Sequence, residues 1–117
     1  MPVQPGPLTL LFARWLPGQH GPYGNVMDFA GLSISTDSGV AVPWQRDPLD
    51  THAFRVTVPP QVSRLVISAQ SLTPALPDGG RVVMTPKMLN LQWQAALLYP
   101  AGFAASAIQF DASVKVP

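Results

Sequence analysis

Apolar and polar residues alternate along several short stretches of this chain, most regularly near its end. Ile108, Phe110, Ala112, Val114 and Val116 share one face, while Gln109, Asp111, Ser113 and Lys115 share the other. A period of two is the mark of a half-buried strand. An earlier run puts Leu91, Trp93, Ala95, Leu97 and Tyr99 on one side with Gln92 and Gln94 opposite, until Ala96 and Leu98 make the second face apolar as well. The two runs are separated by a loop from Pro100 to Phe103 and are expected to pair. That pairing places Trp93 and Phe110 on a buried sheet face and leaves Gln92, Asp111 and Lys115 more exposed.

The rest of the chain reads in the same way. Leu8 to Phe12 is an apolar strand, and Leu16 to Gly24 carries too many prolines and glycines to be regular. Leu32 to Thr36 alternates, Asp37, Ser38 and Gly39 supply a turn, and Val40 to Gln45 returns, which makes a hairpin with glycine at its positive-φ position. Pro43 within the returning arm lacks an amide donor, so this arm belongs at a sheet edge or carries a bulge. Asp47 to Asp50 forms a turn whose aspartates can accept from nearby amides. Phe54, Val56 and Val58 alternate with Arg55 and Thr57 up to Pro59 and Pro60, where a strand must stop. Val62 to Ala69 is the next strand. Residues 70 to 80 form a long irregular connection, expected to be the most mobile part. Arg81 to Met84 is a short strand, and Thr85 to Leu89 has the cap-then-proline opening of one helical turn.

Together these elements predict one all-β domain over residues 1–117, an antiparallel sandwich-like arrangement with long Pro/Gly-rich loops. Fourteen prolines and nine glycines among 117 residues fit that picture, since they fall between the alternating runs. At this length a domain buries roughly two thirds of the surface its unfolded chain would expose, so no covalent staple is needed. There is no cysteine, hence no disulfide, thiolate metal site or cysteine nucleophile. Seven basic residues against six acidic ones give a net charge of +1, with the basic ones scattered, which suggests neither a nucleic-acid partner nor an anionic membrane surface. No apolar run approaches the ~18 to 20 residues that span a bilayer, and the first five residues lack signal-peptide features.

Candidate chemistry is sparse. All six acidic residues are aspartates, so the H-E-x-x-H zinc motif cannot be built. His20 and His52 are the only imidazoles; a zinc site would need carboxylates such as Asp28 or Asp50 beside them, and the spacing of known sites is missing. Ser33, Ser35 and Ser63 lie outside any nucleophile elbow. No catalytic, metal or cofactor residue is therefore assigned. Two binding candidates remain. Trp44 to Asp47 sets an aromatic beside an arginine and a carboxylate, a combination common at recognition surfaces; the simpler reading packs Trp44 in the core and pairs Arg46 with Asp47 at the surface. Tyr99, Pro100, Ala101 and Gly102 could offer a hydroxyl and open backbone to a ligand or a neighbouring domain, or could merely close a hairpin.

Several long strings stand out: Trp15 to Gly24, Ala30 to Leu32, Pro43 to Asp50 with Phe54, Val83 to Trp93, and Leu98 to Gly102. In this order they resemble the N-terminal domain of the glycyl aminopeptidase family, zinc metallopeptidases with a thermolysin-like catalytic domain and a C-terminal PDZ domain. The resemblance spans nearly the whole chain. It implies a non-catalytic β-sandwich-like module that packs on the catalytic domain of its parent chain, in enzymes that remove N-terminal glycine or alanine. Zinc is expected in that catalytic domain, which lies beyond residue 117, so the chain reads as a fragment of a hydrolase, and a periplasmic or secreted parent is expected from the family. The alternative is an autonomous β-sandwich that binds or scaffolds without an enzymatic parent. The resemblance also implies a further strand ahead of Val3. The unpaired edge this leaves is expected to recruit a second copy, through Leu8 to Phe12 or Ile108 to Val116.

The absence of glutamate yields a direct test. Purified chain incubated with glycyl and alanyl peptides should show no turnover, and metal analysis should find no stoichiometric zinc. Turnover, or one tightly held zinc per chain, would contradict the reading.

Overall fold

Three residues set the interior. Phe54, Val56 and Val58 are buried, and Arg55 and Thr57 between them are exposed, so the alternation read from the sequence is the alternation the fold uses. The computed structural model describes residues 1–73 and 82–116. Strands β1 (Gly6–Phe12), β2 (Phe29–Thr36), β3 (Trp44–Arg46), β4 (Ala53–Val58), β5 (Leu65–Ser71), β6 (Val82–Thr85), β7 (Met88–Leu91) and β8 (Leu98–Pro100) follow one another, with short 3-10 turns at Val26–Asp28, Trp93–Ala95 and Ala105–Ala107. They form a four-stranded sheet in the order β3-β4-β1-β8, a two-stranded sheet of β2 and β5, and a separate β6–β7 hairpin. Every pairing is antiparallel. The fold is all-β and sandwich-like.

The core forms between the first two sheets. Leu10 and Phe12 from β1, the three β4 residues and Leu98 from β8 meet Phe29 and Ile34 from β2 and Leu65 from β5. In the ladder Leu8 lies opposite Val56 and Leu10 opposite Phe54, while Trp44 on β3 also lies opposite Val56. The inward positions of three neighbouring strands thus form one apolar surface. The Phe54 ring, fully buried, sits 5.6 Å from Trp44 and 6.2 Å from Phe29. Trp44 is half-buried and donates its indole N–H to the Leu32 carbonyl at 3.2 Å, which satisfies the polar end of a ring packed at the core margin.

Pro43 marks a change of sheet. Thr36 N–H donates to Val40 O and Val42 N–H to Ile34 O, so the first half of the returning arm pairs with β2 around a turn in which Gly39 has φ +86°. Past Pro43 the chain joins the other sheet as β3, its edge strand, where a missing donor is tolerated. The single arm expected from Val40 to Gln45 therefore serves both layers.

Four expectations are corrected. The runs Leu91 to Tyr99 and Ile108 to Val116 do not pair. The 3-10 turn at Trp93–Ala95 shifts the phase by one, so Leu98 is buried (4% exposed) and Trp93 is not (40%), and Leu98–Pro100 pairs with β1 instead. Residues 108–116 run without a ladder partner among the described residues, and Phe110 is 44% exposed. Alternation declares two faces, but a strand also needs a neighbour, and the turn at Ala105–Ala107 leads the chain away from β8 toward Arg64, where Asp111 forms an ion pair at 3.1 Å. Leu8 to Phe12 is no open edge, since β1 lies between β4 and β8. Thr85 to Leu89 is a hairpin turn and not a helical one: Thr85 pairs with Met88, and Lys87 N–H donates to Thr85 Oγ1, because a proline φ suits a tight turn as well as a first helical turn. The long connection expected over residues 70 to 80 lies mostly outside the described residues, as does Arg81, although Gln70 and Ser71 belong to β5.

The burial pattern reverses one expectation from alternation alone. Phe54→Ala should lower stability by about 3 to 5 kcal/mol, whereas Phe110→Ala should stay within about 0.5 kcal/mol. Urea denaturation of the two variants measures both; a strongly destabilised Phe110→Ala would restore the buried C-terminal strand.

Candidate functional site

The loop singled out from the sequence is the outer end of an edge strand. Tyr99 lies opposite Leu11, Pro100 opposite Leu10, and Ala101 N–H continues the ladder by donating to Thr9 O at 2.9 Å. Tyr99, Pro100 and Ala101 are half-buried, and the chain turns at Gly102 to leave Phe103 64% exposed. The loop closes no hairpin between the two expected runs. Phe103 is the residue this reading missed: an aromatic placed outside the alternation, directly after Pro-Ala-Gly.

Arg46 and Asp47 do not form the expected surface pair. Successive strand residues point to opposite faces, so Arg46 turns inward opposite Phe54, with its guanidinium 5.0 Å from the ring centre. Asp47 turns outward and is held by Arg55, whose Nε donates to Oδ2 at 2.7 Å. Its other oxygen, Oδ1, accepts from the amides of Leu49 (2.8 Å) and Asp50 (3.1 Å). Those two amides, and then Arg55, hold the Asp47 carboxyl below its ordinary range despite an opposing desolvation.

The same turn fastens the irregular loop before β2. Asp50 pairs with Arg14 and also accepts from the His52 amide at 3.0 Å. His52 bridges 2.8 Å from Nε2 to the Gly24 carbonyl, so its ring is occupied structurally, with Nε2–H as the donor. Gly24 N–H in turn donates to Arg14 O at 2.9 Å. Only glycine fits there, since a Cβ would lie 1.8 Å from the Ala13 carbonyl oxygen. His20 is exposed. Among the described residues no three His, Cys, Asp or Glu side chains come together as a metal site would require. Ser33 and Ser35 are ladder residues of β2, opposite Ser68 and Val66.

Two further surfaces were not visible in the sequence. Met1, Pro2, Ser63, Arg64, Gln109, Phe110 and Asp111 line an open cleft of about 330 Å³. In it the Met1 ammonium donates to Leu65 O at 2.8 Å, and burial followed by the Arg64 charge lowers its pKa, with Asp111 acting in the opposite sense. The second is one face of the β6–β7 hairpin. Val82 lies opposite Leu91 and Met84 opposite Leu89, so these four apolar side chains share a face, with Met84 and Leu89 exposed. The geometry therefore defines an all-β module with apolar surface and, among its described residues, no assembled catalytic group.

The family model of the peptidase M61 N-terminal domain matches residues 1–117, the whole of the chain. The chain belongs to that family, the N-terminal domain of the M61 glycyl aminopeptidases. A search of curated proteins gives no match.

The Asp47 network makes an acid-sensitive contribution to stability. A folded pKa below the ordinary 3.8 means that the contribution is complete above that value and is lost as pH falls through the folded one. Asp47→Asn should therefore melt below the parent at neutral pH, and the gap should close as the buffer is taken well under pH 3.8. Thermal denaturation over that range measures it; a gap independent of pH would contradict the assignment.

Proposed function

We propose that this domain is the non-catalytic N-terminal module of a zinc-dependent glycyl or alanyl aminopeptidase, packing on a catalytic domain and helping to shape its substrate cleft. The observation that carries the reading is the family match across residues 1–117 in a chain with no glutamate. Among the described residues no three His, Cys, Asp or Glu side chains come together, which supports a reading in which zinc and the chemistry sit in the catalytic domain. An exported parent follows from the family resemblance alone.

What this chain brings is surface. The loop from Tyr99 to Gly102, with Phe103 beyond it, stands on a strand whose other side is fixed by β1. A rigid strand end carrying an exposed aromatic suits a fixed interdomain contact, since little ordering entropy remains to be lost on docking. The apolar hairpin face of Val82, Met84, Leu89 and Leu91 offers a second contact of the same character.

The test uses a polypeptide that carries both this module and the peptidase domain. Phe103→Ala should change kcat/KM on glycyl peptides several-fold, while folding stability stays within about 0.5 kcal/mol, as for an exposed side chain. Unchanged kinetics in that protein, together with independent melting of the two domains, would favour an autonomous binding module instead.

A further inference from the structure

Asp47 is followed by proline, and Asp47–Pro48 is the one Asp–Pro bond in the chain. A prolyl nitrogen carries three carbon substituents and no hydrogen, so it is more basic than an ordinary amide nitrogen and departs more readily once protonated. The aspartate carboxylate beside such a bond is its natural attacking group. It reaches its own carbonyl carbon through a five-membered ring, an intramolecular reaction in which no second molecule has to be brought into place. The bond lies in the turn between β3 and β4, with Pro48 and Leu49 exposed, so water and acid have access to it.

What the fold withholds is the carboxylate. Oδ1 accepts from the amides of Leu49 at 2.8 Å and Asp50 at 3.1 Å, and Oδ2 accepts from Arg55 Nε at 2.7 Å. The Asp47 amide donates to Ala53 O at 2.9 Å, so the backbone of the same residue is tied across the turn as well. Closing the ring rotates the carboxyl about the Cα–Cβ bond onto the carbonyl carbon and away from these donors. Hydrogen bonds to an ionised group are the strong ones, so that rotation is opposed. Arg55, on β4, is the charged group that faces Asp47, whereas Asp50 in the same turn is engaged by Arg14 and the His52 amide.

We propose that Asp47–Pro48 is a self-cleavage site held latent by this turn, and that it opens when acid or local unfolding frees the carboxylate from Arg55 and the two amides. In the step, a carboxylate oxygen bonds to the Asp47 carbonyl carbon, the bond from that carbon to the Pro48 nitrogen breaks, and the nitrogen leaves with a proton taken from the acid. The anhydride left on Asp47 is opened by water, which restores the side-chain carboxyl and creates a new terminal one. The products are residues 1–47 and 48–117, and together they weigh the parent plus one water. Solvent supplies every other reactant. The site belongs to this chain alone and does not depend on the peptidase reading.

The test holds the chain just under pH 3.8, with and without urea, and follows the fragments by mass spectrometry. In that window the folded Asp47 keeps a larger share of carboxylate than the unfolded one, so a slower folded rate reports geometry and not charge. The fragments 1–47 and 48–117 should appear several-fold faster in urea. Without urea, Arg55→Ala should cleave faster than the parent and Arg55→Lys, which keeps the cation, close to the parent; in urea all three should cleave alike. Pro48→Ala should stay whole in both. Circular dichroism at the same pH gives the folded fraction of each variant, and if Arg55→Ala does not fold, the parent with and without urea decides alone. Absence of this fragment pair in urea overturns the proposal. So does equal scission of the folded and unfolded parent, scission of a folded Arg55→Ala at the parent's rate, or the same cleavage in Pro48→Ala.

Discussion

Phe54 sits where the two layers of this domain meet, and its fully buried ring is packed by side chains from both. Phe29 reaches it from β2, Trp44 from the neighbouring β3, and the Arg46 guanidinium lies over it. Because Phe54 is fixed in register with Leu10, the central strand pair and the inter-layer contact depend on each other. A slip of one residue along β4 would put Arg55 and Thr57 inside and turn the core outward. Arg46 follows from the same constraint. It stands on the inward side at the sheet margin, where its flat cation can cover an aromatic face while its charge stays in water.

The loops are subordinate to that core yet far from loose. Asp47, at the end of β3, spends one carboxylate oxygen on the next turn and the other on Arg55, so a single side chain sets where the edge strand stops and how the chain re-enters β4. Asp50 and His52 then connect the turn to the loop before β2. Exposed ion pairs such as Arg14–Asp50 contribute little individually. The hydrogen bonds around them satisfy backbone groups that would otherwise need water, and that is their larger role.

Much of the fold was legible because alternation was bounded by punctuation. Phe54 to Val58 ends at two prolines, and the hairpin at Gly39 and the edge position after Pro43 were both implied by the local chemistry of those residues. What failed was pairing. Ile108 to Val116 alternates as well as any strand here, yet alternation identifies faces and is silent about neighbours, and this run has no ladder partner among the described residues. β1 was read as a strand, but its central place depends on two partners distant in sequence. At the candidate surfaces, Tyr99 to Gly102 was visible as a loop. Phe103 was placed in that loop without being named as a candidate, and the apolar hairpin face was not visible, since it exists only once Val82 is set against Leu91. The separation of Arg46 from Asp47 needed only the strand period, and the pairing of opposite charges obscured it.

The close approach at Gly24 has a consequence for how this protein can be altered. Gly24 and Arg14 are joined backbone to backbone, and His52 fixes the same glycine from the other side, so the segment between them begins and ends at one point. Leu16, buried, is its one large apolar anchor. The entropic cost of lengthening such a closed segment is small, about 0.6 kcal/mol for each doubling. The two ends of this segment are thus held together by backbone and by His52, independently of what lies between them, provided Gly24 stays glycine.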